Sequence, residues 1–215
     1  MLILKQFDVR LIRLSEGDLE LVRAWRNAAH VRDQMIYKEF TTEEMQQTWF
    51  QMVNNAFNYY FVIEFEGKKV GLINAKDYKP EMGFGEGGIF IGDQAYEHSF
   101  AAVYASLCLL NFVYYMLGTI EKSRIRILKS NTRAIQYNKL LGYEWICDSE
   151  DGQNAMYELT FDRFQKLGIK LNMAAKLFSV GSPLMELSGE ASDCNLPEIN
   201  ALLLKKTPPM AIPGL

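Results

Sequence analysis

The order in which strand-like and helix-like stretches follow one another most narrows the folds open to this chain. Residues 7–14 alternate as a strand does. Ser15 then caps a helix on which Leu19, Val22 and Trp25 or Arg26 recur at helical spacing. A short helix is expected over residues 31–35. Thr41 and Glu44 form a capping box ahead of Met45, Trp49 and Met52, on a helix ending near Asn54 and Asn55. Residues 59–65 and 70–77 read as a hairpin across Glu66-Gly67-Lys68-Lys69. A loop at residues 80–85 leads to the short apolar strand Gly88-Ile89-Phe90-Ile91-Gly92, and a long apolar helix spans residues 99–116. Residues 123–128 alternate again, and residues 131–141 form a helix stopped by Gly142. Residues 143–148 and 155–161 close a last hairpin across Glu150-Asp151-Gly152. No internal repeat interrupts this α/β (α+β) order.

After Phe161 the character changes. Residues 162–178 read as a helix with Phe164, Leu167 and Leu171 on one face. From Ser179 onward Gly, Ser, Pro and acidic residues prevail, and only residues 199–204 are strongly apolar, too few to build a core. The organisation expected is a domain at residues 1–162, a C-terminal helix at 163–180 and an extended interaction arm at 181–215. The 215 residues suit one domain with an appendage. A net charge of -3 offers no basic field, so nucleic-acid binding is disfavoured. Cys108, Cys147 and Cys194 are spaced for neither a disulfide framework nor a zinc knuckle, and Cys108 reads as core. With only His30 and His98, no metal site is implied. Neither a signal peptide nor a membrane span is read, which points to a reducing, cytoplasmic setting.

Three local patterns then stand out. One is Trp25-Arg26-Asn27, with Val31-Arg32, Met35, Thr41-Thr42-Glu43-Glu44 and Trp49-Phe50 behind it. The second is Gly85-Glu86-Gly87-Gly88-Ile89-Phe90-Ile91-Gly92-Asp93. The third runs from Asn131 to Tyr143 through Arg133, Ala134, Ile135 and Gly142. Together with the element order, these patterns resemble the GNAT superfamily of N-acetyltransferases, nearest to its branch acting on ribosomal-protein N-termini and amino-sugar nucleotides. The resemblance covers about residues 9–159 and implies a mixed, mostly antiparallel central sheet flanked by helices.

By that resemblance Trp25, Asn27 and Trp49 belong to the wall of the acceptor site, although either tryptophan taken alone reads better as a core anchor. The strand carrying Phe90 and Ile91 splays from its neighbour and pairs with the pantetheine arm of acetyl-CoA as an added strand would. Glu86 at its start is either a general base for the acceptor amine or a solvated glutamate. Asn131 caps its helix and, by resemblance, also bonds near the cofactor, while Arg133 reaches a phosphate. Ser99, Ala101 and Ala102 start the helix whose amides face the pyrophosphate.

Two departures stand against the pattern. Glu97-His98-Ser99-Phe100-Ala101-Ala102 replaces the family's Arg/Gln-x-x-Gly-x-Gly/Ala loop, placing a carboxylate and a ring where phosphates approach. Asn138 occupies the position of the tyrosine that commonly protonates the thiolate, and Tyr137, about 100° around the helix, is expected to point elsewhere. Two readings stay open: an acetyl-CoA-dependent N-acetyltransferase acting on a primary amine of an amino-sugar nucleotide or a protein N-terminus, or a non-catalytic docking protein of a larger assembly such as a virus particle. The arm at residues 181–215 favours the second, since it would join a further copy or a partner. A third reading is an acyltransferase with another acyl donor.

Overall fold

In the computed structural model, which describes residues 1–79, 83–118, 120–190 and 197–215, the alternating N-terminus makes two strands and not one. β1 (Ile3–Gln6) and β2 (Val9–Arg13) pair antiparallel about Phe7 and Asp8. Phe7 takes a left-handed φ of 54°. A bulky residue there carries strain of about 1–3 kcal/mol, and the ring is 1% exposed, so burial offsets it. Asp8 is the turn's one favourable residue, and no Gly or Asn stands at the left-handed position to mark it.

The sheet continues with β3 (Tyr59–Phe65), β4 (Lys68–Lys79), β5 (Phe84–Ile91), β6 (Lys122–Leu128), β7 (Glu144–Asp148), β8 (Asn154–Thr160) and β9 (Glu186–Ser188). Among the described residues these nine strands form one sheet in the order β7-β8-β6-β5-β4-β3-β2-β1-β9. Only β5 and β6 run parallel. The mixed, mostly antiparallel sheet is therefore present. Pro80, at the head of the expected loop, and Cys194 lie outside the described residues.

Helices cover both faces. On one, α1 (Leu19–Asn27) follows a single 3-10 turn, and α2 (Ala29–Arg32) and α3 (Glu43–Val53) come next. Leu19, Val22, Trp25 and Phe50 pack on Tyr60, Val62 and Leu72 of the sheet. The cap of α3 is Thr42, whose hydroxyl accepts from the Met45 amide at 3.2 Å, one residue later than expected. On the other face lies α4 (Ala101–Asn111), continued by a π-helical turn at Phe112–Leu117. Here Cys108 is fully buried, and burial pushes its thiol pKa up, so it is core. α5 (Thr132–Leu141) begins at Asn131, whose side chain accepts from the Ala134 amide at 3.0 Å. It ends at Gly142 with φ 105°, a conformation that leaves little room for a Cβ.

The C-terminal helix spans α6 (Phe161–Arg163), a π-helical stretch at Phe164–Gly168 and α7 (Ile169–Phe178). The segment beyond α7 is not the extended arm that its composition suggested. β9 pairs with β1 as an edge strand, and α8 (Pro197–Leu204) folds against the same domain. Met185, Ile199 and Ile212 are at most 1% exposed within the main core. The Asp8 carboxylate accepts from the Gly181 amide at 2.6 Å, and buried Asn111 donates to Gln6 and Asn172 at 2.9 and 2.7 Å. Too apolar-poor to fold alone, the tail completes a core built by the rest of the chain. No helix among the described residues is long and apolar enough to cross a membrane.

Candidate active site

β5 and β6 stay paired from Phe84 and Lys122 to Gly87 and Ile125, and then part. Residues 88–91 keep β4 as a partner but have none on the β6 side. Of these, residues 88–90 line a cavity of about 430 Å³ in the opening. Gly88, Phe90, Ile127 and Leu128 line its middle. Asn131, Tyr137 and Asn138 of the α5 segment line one side, and Arg26, Tyr37, Trp49 and Tyr60 the other. A Cβ at Gly88 would lie 2.8 Å from Asn74 Oδ1, so glycine lets the Asn74 side chain lie against the strand.

Glu86 pairs with Lys76 at 3.2 Å and Arg126 at 3.3 Å. Both cations line the cavity, and the carboxylate between them is 20% exposed. Trp49 stands edge-on to Tyr60, ring centres 5.0 Å apart. Burial, with the nearby Asp77 charge, pushes the Tyr60 hydroxyl up to about 12. On the opposite wall, Tyr143 shares a 2.6 Å hydrogen bond with Ser123. Its burial raises the hydroxyl to about 12 despite that bond.

Expected residues separate here. Phe90, Asn131, Asn138 and Trp49 line the cavity. Ile91 packs against the main core and not on the cavity wall. Trp25 is 8% exposed, and a Cβ at Gly92 would fall 2.1 Å from its ring, so the indole is a core anchor covering the end of β5. Asn27 donates to Thr41 O at 2.9 Å and accepts from Thr41 N at 2.8 Å, which fixes the α2–α3 connection. The wall assignment of Trp25 and Asn27 is therefore corrected, and Arg26 between them faces the cavity. Consecutive helical residues point about 100° apart, so the two flanking residues cannot share its direction.

Asn138 donates to Ala134 O at 2.8 Å within its own helix. Contrary to expectation, Tyr137 also lines the cavity, donating to Ala102 O at 3.0 Å. That bond ties α5 to the first turn of α4. Arg133 reaches the loop, with its side chain still largely exposed. It pairs with the Glu97 carboxylate at 2.7 Å and donates to Glu97 O at 2.6 Å. Thus the carboxylate that replaces the loop's basic residue brings its own cation. Phe100 turns away onto Tyr104 and Phe178, at 5.7 and 6.2 Å. Ser99 Oγ accepts from Ala101 N at 3.2 Å, leaving the amides of Ala102 and Val103 at the helix start without a protein acceptor among the described residues.

Residues 8–144 match the family described as the acetyltransferase (GNAT) domain. The chain belongs to the GNAT acetyltransferase family. Solved structures share the GNAT fold at low identity. FdhC, described as a nucleotide-linked sugar GNAT, is 19% identical with a TM-score of 0.64 over 77% of this chain and 94% of that one. The ribosomal-protein α-N-acetyltransferase RimL, solved with coenzyme A, is 13% identical with a TM-score of 0.60 over 73% and 96%. A spermidine N-acetyltransferase SpeG chimera from Vibrio cholerae and hSSAT is 15% identical with a TM-score of 0.59 over 74% and 99%. No curated protein sequence matches the chain. Among the described residues no group of three or more His, Cys, Asp or Glu is placed to hold a metal ion.

Proposed function

We propose that this GNAT chain transfers an acetyl group from acetyl-CoA to a primary amine. The observation that carries this is the parting of β5 and β6 over a cavity that opens towards both α5 and α1. Acetyl-CoA supplies an activated thioester carbonyl. The residues fit such a donor: the unpaired edge at residues 88–91 offers backbone groups to an extended amide arm, and the Ala102 and Val103 amides point from a helix N-terminus. The Glu97 carboxylate is neutralised by Arg133, so the repulsion expected at the loop is reduced.

The amine enters from the side of Arg26 and Trp49 and attacks the carbonyl carbon. The C–N bond forms, the C–S bond breaks, and the thiolate takes a proton from solvent. Glu86 accepts the amine proton through water, held in place by Lys76 and Arg126. Asn138 orients the donor by hydrogen bonding and supplies no proton. Positioning provides most of the acceleration. The alternative of a pure docking protein drew on the altered phosphate loop, the missing tyrosine acid and a free C-terminal arm, and of these the arm is withdrawn, since its described residues pack within the same domain.

Calorimetric titration of the purified chain with acetyl-CoA, followed by mass spectrometry of amines incubated with both, tests the proposal. Saturable binding and a gain of one acetyl group are expected. Absence of binding at millimolar acetyl-CoA refutes it.

A further inference from the structure

The acceptor side of the cavity is more cationic than a chain of net charge -3 would suggest. Among the described residues its wall carries Arg26, Lys76 and Arg126 and no carboxylate. Glu86, set behind the wall, is shared by Lys76 and Arg126, and Lys76 also reaches the exposed Asp77 at 3.4 Å. Arg26 differs. It is half-buried between the Tyr37 and Tyr60 sides of the cavity, and no carboxylate or carbonyl among the described residues pairs with it. Withdrawal from water makes its charged form less favourable, and the two nearby tyrosines only partly oppose this. A guanidinium removed from water and left without an anion costs folding energy that nothing nearby returns.

We infer that Arg26 receives an anionic group on the acceptor, so that the substrate is a small amine that also bears a phosphate or a carboxylate. This rests on the acetyl-transfer reading and names the class of acceptor within it. The planar fork of arginine matches either anion with two parallel hydrogen bonds, and Lys76 and Arg126 strengthen the field around it. Trp49 and Tyr60, set edge to face, supply an aromatic corner for the substrate body between its two ends. A polyamine, by contrast, brings several positive charges to three cations. The aromatic-lined wall, with one of its two forked cations left unpaired among the described residues, therefore suits a phosphorylated amino sugar or an amino acid better than a polycation.

The test titrates the full-length protein, without donor and at low ionic strength, with matched amines: glucosamine 6-phosphate against glucosamine, β-alanine against its amide, and spermidine. The anionic member of at least one pair should bind about ten-fold tighter than its neutral twin, as expected for a charge-assisted bidentate contact, with spermidine weakest. Whichever pair shows the gap tells phosphate from carboxylate. High salt should shrink it. Arg26→Met should abolish the gap and leave acetyl-CoA affinity within about two-fold, and Arg26→Lys should keep part of it. A melting curve for each variant shows that it is folded. Equal binding within both pairs, binding of none of the amines, tightest binding of spermidine, or an Arg26→Met protein that keeps its preference each overturns the inference. So does a loss confined to acetyl-CoA, since Arg26 would then serve the donor. Absent acetylation with an intact anion preference would instead refute only the transferase proposal.

Discussion

Replacing Ile199 by Ala tests whether the C-terminal segment is part of the domain. Ile199 is 0% exposed and joins Met185 and Ile212 in the main core, whereas Leu204, on the same helix, is 74% exposed. Truncating a fully buried Ile removes its transfer energy and leaves a cavity, a loss of about 2–5 kcal/mol. Taking about 3 kcal/mol, and roughly 2–4 °C per kcal/mol for a domain of this size, the melting temperature should fall by roughly 6–12 °C. Leu204→Ala should change stability by no more than about 0.5 kcal/mol. Both variants place alanine on the same helix, so the difference between them isolates burial. Circular dichroism melts of the two variants beside the parent provide the reading. Equal melting temperatures for Ile199→Ala and the parent would mean that α8 does not belong to the core, and the free arm would have to be reinstated.

Asp18 should give the domain an acid-sensitive contribution. Burial alone would raise its carboxyl pKa, but hydrogen bonds from Lys69 at 2.5 Å and from Ser15 outweigh that and hold it below the ordinary value. The stability it adds is therefore present above the unfolded value of about 4 and lost as pH falls through the folded one. Asp18→Asn should cost about 1–3 kcal/mol at pH 7 in urea melts, with little difference from the parent at pH 2; a constant gap would count against the assignment. Glu86→Gln should lower kcat more than acetyl-CoA affinity, and equal losses would make Glu86 a structural ion-pair partner. Phe100→Asp should weaken acetyl-CoA by placing a carboxylate beside the start of α4, and an unchanged dissociation constant would move the phosphates elsewhere.

The features legible in the sequence were mostly local. Asn131 and Gly142 mark the ends of α5 because a cap and a left-handed stop are properties of a few neighbouring residues. The splayed strand around Phe90 was legible by resemblance, and the structure shows where pairing with β6 ends. The hairpin at Phe7 was hidden, since its left-handed position is held by a buried Phe and not by Gly or Asn. Arg26 was overlooked in favour of its more distinctive neighbours, although a helix can aim only one of three consecutive residues at a given wall. Tyr137 was dismissed on helical phase alone, yet its long side chain crosses to Ala102 O. The tail was misread because composition reports whether a segment can make a core, not whether it can finish one.

The pairing of β1 with β9 also has a bearing on time. Synthesis proceeds from the N-terminus, so β1 emerges early and its outer edge stays uncovered until residues 186–188 have been made. Throughout that interval a row of free backbone donors and acceptors, flanked by Leu2, Leu4 and Phe7, is available to any other strand. A chain released before residue 186 is therefore expected to leave the ribosome sticky and not merely unstable, gathering into strand-paired aggregates that size-exclusion chromatography separates from the full-length protein.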